Sequence, residues 1–286
     1  MIPAAEPNPL VRRLAAFVRD GGVPYYPSGE PAVEASLLAL LALSASEPGG
    51  QTAKALLARI SALQGPDGSV GLAPAHPGQG LWLTAPAAVV FHRYDLKAAR
   101  DRALGFLLSL KSVTVANDPN VRQDNTIVGW PWVAGTFGWV EPTAWAAIAL
   151  GVSGQGGHPR AVEGRRFLLD RQIPSGGWNY GNPGVNDREL LPFWDTTGLA
   201  LLVFGRQPGA ARIRPSLDFL EGNQDRIESL CGLAWAALGL ECHGRDTARI
   251  KKRLRAALDS PPDDTTNAAH FAAGVVALAG PKVFLP

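Results

Sequence analysis

The stretch Glu141-Pro142-Thr143-Ala144-Trp145-Ala146-Ala147-Ile148-Ala149-Leu150 decides the fold class of this chain. It starts with an acidic residue and continues as an apolar run that carries no further charge. A helix that is apolar on nearly all sides is buried on most of its faces. A carboxylate in the first turn is favoured there by the positive end of the helix dipole. The pattern therefore predicts an inner helix with an acid at its beginning.

Imperfect copies of this pattern recur along the chain, which is typical of a repeat architecture. Acidic copies start at Glu34, Asp195, Glu228 and Asp264, and the copy Ala85-Pro86-Ala87 keeps the proline but has no acid. Amphipathic segments alternate with these runs and suit outer helices that are exposed on one side. They are Leu10–Arg19, Thr52–Leu63, Ala98–Leu110, Arg160–Gln172, Ala211–Asn223 and Thr247–Leu258.

Six buried helices that alternate with six half-buried helices close naturally into two concentric rings. We therefore predict an all-α protein, an (α/α)6 toroid that forms a single domain over residues 1–286, with an apolar central cavity. If every inner helix starts at the same rim, the five acids form a partial ring around one mouth of that cavity. For each acid taken alone, a favourable interaction with the helix dipole is the simpler explanation.

Composition narrows the classes of function. The 27 basic and 25 acidic residues give a net charge of +2, which argues against a dedicated nucleic-acid surface. The two cysteines, Cys231 and Cys242, do not indicate a disulfide framework. Residues 1–9 lack a signal-peptide pattern, and no long uncharged apolar segment predicts a transmembrane span. We therefore expect a cytoplasmic protein.

A more specific signal lies between two of the repeats. The segment Arg165–Trp178, with Gln172 followed by Gly176-Gly177-Trp178, resembles the QW motif of squalene and terpenoid cyclases. Phe193-Trp194-Asp195-Thr196 is similar to the starts of their inner helices. A degenerate copy has Gln64 and Gly65 but Val70 in place of the tryptophan. In the cyclases the QW motif ties the end of an outer helix to the next turn. Within this wider group, the chain most resembles single-toroid bacterial proteins with prenyltransferase and squalene oxidase repeats.

The resemblance implies a protonation-initiated (class II) cyclisation of an isoprenoid. Asp263 and Asp264 fall on the acidic motif of these cyclases, although Pro261 replaces its first aspartate. The expected catalytic residues are Asp263, Asp264 and Asp195. The expected substrate-binding residues are Glu34, Glu141, Trp145, Trp235, Phe271 and His270. Class II cyclases place the active site between two toroids, so a second toroid subunit is an expected partner beside the apolar isoprenoid.

Two alternatives stay open at this point. Protein prenyltransferases are similar toroids in which a Cys, a His and an Asp hold zinc, and here Cys231 and His270 match loosely, while Ser229 stands where the family has its Asp. We expect a protein without a metal or cofactor, and zinc binding is the alternative. The other alternative is a non-enzymatic toroid that binds an isoprenoid or another protein.

Overall fold

The chain forms an all-α toroid. A computed structural model describes residues 8–72, 80–186, 188–205 and 210–286. The inner helices are α2 (Val33–Ser44), α4 (Thr84–Arg93), α6 (Val140–Val152), α8 (Trp194–Phe204), α10 (Leu230–Cys242) and α12 (Ala268–Ala279). The outer helices are α1 (Pro9–Ala16), α3 (Gln51–Ala62), α5 (Lys97–Ser109), α7 (Pro159–Asp170), α9 (Ala210–Gly222) and α11 (Ala248–Asp259). The predicted fold class is confirmed.

The ring closes on itself. Each inner helix packs against the next one in chain order, and α12 packs against α2. The last hairpin is tied to the first by hydrogen bonds, since the Arg13 guanidinium donates to the carbonyl of Leu258 at 2.7 Å. The Ala268 N–H also donates to the carbonyl of Tyr25 at 2.8 Å. The hairpins therefore form a closed ring and not an open solenoid.

Burial follows the two kinds of sequence pattern. In α6 nearly every residue is buried, as expected for a helix without a polar face. In α11 the buried residues are Ile250, Leu254 and Leu258, which recur every four positions, and three of the five basic residues of the helix are exposed. No helix in the described ranges is both long enough and apolar enough to cross a bilayer.

Three short antiparallel hairpins precede inner helices. They are β1 (Val23–Pro24) with β2 (Pro31–Ala32), β3 (Trp130–Pro131) with β4 (Gly138–Trp139), and β5 (Gly184–Val185) with β6 (Arg188–Glu189). Val23 lies opposite Ala32, Trp130 opposite Trp139, and Gly184 opposite Glu189. The first two hairpins lead directly into α2 and α6, and four residues separate the third from α8. All three therefore lie at the rim where these helices begin.

A buried hydrogen bond repeats in four of the six hairpins. In each, a backbone N–H before the inner helix donates to a hydroxyl in or near its first turn, at 2.9 Å. The pairs are Val23 with Ser36, Val70 with Thr84, Trp130 with Thr143, and Trp178 with Thr197. The hydroxyl thus fixes where each inner helix begins relative to the turn before it.

Replacing Thr197 with valine tests this bond. The substitution keeps the shape of a fully buried side chain but leaves the Trp178 N–H without its acceptor. We expect a loss of about 1–3 kcal/mol in the free energy of unfolding, the usual cost of an unpaired buried donor. Urea denaturation measures it. The exposed Thr136→Val serves as control and should change stability by less than about 0.5 kcal/mol.

Gln172 and Trp178 connect neighbouring outer helices. The indole N–H of Trp178 donates to the carbonyl of Leu168 near the end of α7, and its ring is fully buried. The Gln172 amide donates to the Ser216 hydroxyl of α9 at 2.7 Å. In the degenerate copy, Gln64 donates to the carbonyl of Ala99 in α5 at 2.8 Å. Each glutamine therefore bonds to the next outer helix along the chain.

The segment after α12 closes one end of the ring. Residues Pro281–Phe284 form a 3-10 turn that contacts α4, α6, α10 and α12. Arg93, at the end of α4, donates to the carbonyls of Lys282, Val283 and Leu285 at 3.0, 2.9 and 2.5 Å. Because this segment follows the last residue of an inner helix, it covers the end opposite to the hairpin rim.

Candidate functional site

A cavity of about 210 Å³ lies inside the ring, at the beginning of the inner helices. Each of the six hairpins contributes the second residue of its inner helical element, which for the second hairpin is the 3-10 turn Leu81–Leu83. This upper ring consists of Glu34, Trp82, Glu141, Asp195, Cys231 and Ala269. The inner helices therefore do start at one rim, and three of the predicted acids meet there.

A second ring lies one helical turn further in. Residues four positions apart share a helix face, so each hairpin contributes a second lining residue. This lower ring consists of Leu38, Pro86, Trp145, Leu199, Trp235 and Ala273. All six are apolar, whereas the upper ring holds three carboxyls and a thiol. The cavity thus has a polar mouth and an apolar interior.

Glu141 is the carboxyl most strongly perturbed by this arrangement. Burial away from water raises its pKa to about 8, and the nearby charges of Glu34 and Asp195 add to the effect. A carboxyl with this pKa is mostly protonated at neutral pH. The cavity therefore contains a neutral carboxylic acid, which can donate a proton, beside other carboxyls that can hold negative charge.

Glu34 and Tyr25 form a pair at the mouth. The phenol of Tyr25, in the hairpin that precedes α2, donates a hydrogen bond to the Glu34 carboxylate. Burial raises the pKa of Glu34, and this hydrogen bond partly offsets the rise. Burial and the Glu34 charge also raise the pKa of Tyr25. Tyr25 therefore stays protonated and favours the ionised form of Glu34.

Cys231 and His270 line the same cavity as the acids. Burial, followed by the charges of Asp195, Glu141 and Glu34, raises the pKa of the Cys231 thiol to about 12. Burial lowers the pKa of His270, so its imidazole is neutral at neutral pH. Zinc requires three closely spaced protein ligands, and no such group of His, Cys, Asp or Glu exists among the described residues.

Aromatic side chains form the floor of the cavity. The rings of Trp145 and Trp235 meet edge to face, with their centroids 5.6 Å apart. Phe284 packs beneath both, with centroid distances of 5.8 and 5.7 Å. At the mouth, the ring of Trp82 packs against that of Trp132, from the loop between β3 and β4, with the ring centroids 4.8 Å apart. Trp145 and Trp235 line the cavity, and their expected role in substrate binding stays a prediction.

Asp263 and Asp264 lie elsewhere, which corrects the expectation that they form the acid pair. Both are exposed in the loop before α12. Asp263 accepts hydrogen bonds from Thr265 and Thr266, which stabilise the carboxylate and lower its pKa. The two aspartates lie outside the cavity because α12 starts after them. The Asn267 side chain caps this helix by accepting a hydrogen bond from the His270 N–H at 3.0 Å. The helix therefore begins after the two aspartates, and Ala269 takes the upper-ring position.

The same displacement occurs at the fifth hairpin. Ser229 caps α10 by accepting from the Gly232 N–H at 3.0 Å, so Glu228 lies outside the helix and is exposed. Cys231 occupies the upper-ring position instead. Phe271 also differs from its predicted role, because its ring does not line the cavity. It packs against Phe17, the residue that follows α1, with the ring centroids 5.5 Å apart.

Tyr25 and Trp82 also line the cavity, and the sequence analysis did not single them out. Tyr25 lies outside the repeat pattern, in a hairpin loop, and no motif pointed to it. Trp82 had a detectable signal, since a hydroxyl follows each of the three upper-ring acids by two positions, as Ser36 follows Glu34. Thr84 follows Trp82 by the same interval. When the repeats are aligned on this hydroxyl, and not on the proline of Ala85-Pro86-Ala87, Trp82 takes the upper-ring position.

Comparisons with known proteins support the fold. Neither the protein-family models nor the curated proteins include a match to this chain. Among solved structures, a novel alpha-amylase from Clostridium perfringens matches with a TM-score of 0.67 at 10% identity, over 97% of this chain and 99% of that one. An inactive variant of an alpha-1,6-mannanase from Salegentibacter matches with a TM-score of 0.62 at 12% identity, over 97% and 98%.

A terpenoid enzyme has a similar fold. The ent-copalyl diphosphate synthase from Streptomyces platensis matches with a TM-score of 0.58 at 18% identity, over 88% of this chain and 52% of that one. The toroid is therefore shared with glycosidases and with a terpene cyclase. At these identities the likeness establishes the fold alone, and function must be argued from the site.

Proposed function

We propose that the cavity binds an uncharged isoprenoid by its oxygen-bearing end and that Glu141 acts as general acid on that oxygen. The observation that carries the proposal is the neutral Glu141 carboxyl, which shares the cavity mouth with Glu34 and Asp195 and lies above an apolar lower ring. A ligand with a polar head and an apolar body matches these two rings. Three carboxyls at the mouth disfavour an anionic head such as a diphosphate.

The pKa of Glu141 selects the kind of bond that it can help to break. An acid with a pKa of about 8 is abundant at neutral pH but too weak to protonate a carbon–carbon double bond. It suits general acid catalysis, in which the proton arrives as a C–O bond breaks. A terminal epoxide fits this requirement, because its strained C–O bond opens on protonation and leaves a tertiary carbocation.

The reaction can be written as an isomerisation. The Glu141 proton goes to the epoxide oxygen, and the electrons of the breaking C–O bond become a lone pair on the new hydroxyl. The carbocation faces the Trp145 and Trp235 rings and the carboxylates of Glu34 and Asp195, which stabilise positive charge. A double bond of the substrate attacks the cation and forms a C–C bond, which leaves a new carbocation. A C–H proton next to that cation then passes to a carboxylate, and the electrons of the C–H bond form a double bond. The product has the mass of the substrate.

The test is incubation of the purified protein with a terminal epoxide of a short isoprenoid alcohol. We expect a cyclic isomer of unchanged mass, identified by gas chromatography with mass spectrometry, and none with heat-denatured protein. Recovery of unreacted epoxide, or of its diol alone, would contradict the proposal, since a diol would mean that water and not a double bond captures the cation.

Glycoside hydrolysis is the second candidate. A protonated Glu141 beside the carboxyl of Asp195 resembles the acid and base pair of glycosidases, and two solved neighbours of similar size are named as an alpha-amylase and a mannanase. The lower ring argues against it, because six apolar residues would leave sugar hydroxyls unpaired. Release of reducing sugar from starch or alpha-1,6-mannan would favour this candidate over the isoprenoid.

A further inference from the structure

Phe284 lies between two cavities. Its ring packs against Trp145 and Trp235, which line the central cavity from the other side. Phe284 also lines a second cavity of about 570 Å³ at the opposite end of the ring. Trp145, Trp235 and Phe284 therefore form an aromatic wall that separates the two spaces.

The second cavity lies further along the same inner helices as the first. Ala147 and Ile148 of α6 and Leu202 and Val203 of α8 line it. The same two helices supply Trp145 and Leu199 to the lower ring of the central cavity. An extended apolar chain that passed the aromatic wall would thus meet further apolar side chains along α6 and α8.

The central cavity is small for an isoprenoid. Its volume of about 210 Å³ is below the roughly 300–1,000 Å³ of pockets that enclose drug-sized ligands. With the polar head among the upper-ring acids, the apolar chain points at the aromatic wall, where Phe284 has little exposed surface. A chain longer than the lower ring therefore meets the wall.

We infer that Phe284 determines the length of isoprenoid chain that the protein accepts, because it blocks passage from the central cavity into the second cavity. This inference rests on the proposed isoprenoid ligand but not on the acid chemistry. Arg93 keeps Phe284 in place, since its guanidinium donates hydrogen bonds to the carbonyls of the two flanking residues, Val283 and Leu285.

The test compares binding of prenyl alcohols with two and four isoprene units, measured by equilibrium dialysis with radiolabelled alcohol. The wild-type protein should bind the shorter alcohol more tightly. In Phe284→Leu the affinity for the longer alcohol, relative to the shorter one, should rise about tenfold or more, since each newly buried methylene favours binding. The binding measurement does not depend on turnover.

A second variant acts on the same wall without removing its ring. Arg93→Gln releases the segment that carries Phe284 and should shift the ratio of affinities in the same direction. The matched control is Phe91→Leu, which removes a comparable volume from a fully buried position that lines neither cavity. Its ratio should equal that of the wild type.

The outcomes separate this inference from the proposed function. An unchanged ratio in both Phe284→Leu and Arg93→Gln, or equal binding of both alcohols by the wild type, would overturn the length-setting role alone. A shifted ratio without any cyclic isomer from the epoxide would remove the reaction and keep the role of Phe284. Failure of every variant to bind either alcohol would overturn both.

Discussion

Glu141→Gln should abolish the acid-dependent reaction while the toroid stays folded. The amide keeps the shape and polarity of the side chain, but it has no acidic proton to transfer. The loss of general acid catalysis should lower kcat by about 10²- to 10⁴-fold, measured as the rate of formation of the cyclic isomer. Circular dichroism should show unchanged helix content.

The matched control is Asp263→Asn. Sequence resemblance assigns the acid role to Asp263, but this residue is exposed and lies outside the cavity. Its substitution should leave kcat unchanged within about twofold. Full activity in Glu141→Gln together with loss of activity in Asp263→Asn would overturn our assignment and restore the one from the sequence.

The same residue predicts how stability depends on pH. Because the pKa of Glu141 is higher in the folded protein than its ordinary value of 4.5, the folded state binds more protons than the unfolded state between pH 4.5 and about 8. The free energy of unfolding should therefore fall as the pH rises through this range, by up to about 5 kcal/mol at 1.36 kcal/mol per pKa unit. Activity that needs the protonated acid should decline above pH 8.

Urea denaturation at pH 5 and pH 9 checks this dependence. The wild type should be clearly less stable at pH 9, whereas Glu141→Gln, which cannot ionise, should lose less stability between the two values. The burial that raises the pKa of Glu34 acts in the same direction, so some dependence will remain in the variant. Equal pH dependence in both proteins would contradict the perturbed Glu141.

Gly198→Ala should cause the largest loss of stability among the substitutions considered. The Cβ of an alanine at this position in α8 would lie 2.1 Å from the carbonyl oxygen of Trp235 and 2.8 Å from the nitrogen of Ala236. These are backbone atoms of α10, so no side-chain rotation relieves the clash. Gly239 of α10 faces Gly198, since a Cβ at Gly239 would lie 2.7 Å from the carbonyl oxygen of Gly198.

We expect Gly198→Ala to lower the free energy of unfolding by about 3 kcal/mol or more, at the upper end of overpacking costs. It should also alter the cavity, because α8 and α10 carry Asp195 and Cys231. The control is Gly105→Ala on the exposed face of α5, where a Cβ meets no atom within 4 Å. Alanine there should stabilise by about 0.5–1 kcal/mol. Thermal unfolding of both variants gives the comparison, and similar melting temperatures would show that α8 and α10 can separate.

The fold class and the positions of three cavity acids follow from local features of the sequence. Runs such as Ala144–Leu150 are apolar on every face, so they had to be inner helices, and the alternation with amphipathic segments required a second layer. The sequence also placed Glu34, Glu141 and Asp195 at helix starts, since an acid that precedes an uncharged apolar run marks the first turn. These are local properties, which the order of residues specifies directly.

Which side chains share the cavity depends on how the helices pack in three dimensions. Capping by Ser229 and Asn267 moves the starts of α10 and α12 past Glu228 and Asp264, and a shift of a few residues carries a side chain from the cavity to solvent. Tyr25, Trp82 and Phe284 reach the cavity or its floor from loops and turns, through closure of the ring. The high pKa of Glu141 is likewise a tertiary property, because it depends on burial and on carboxyls that are distant in the sequence.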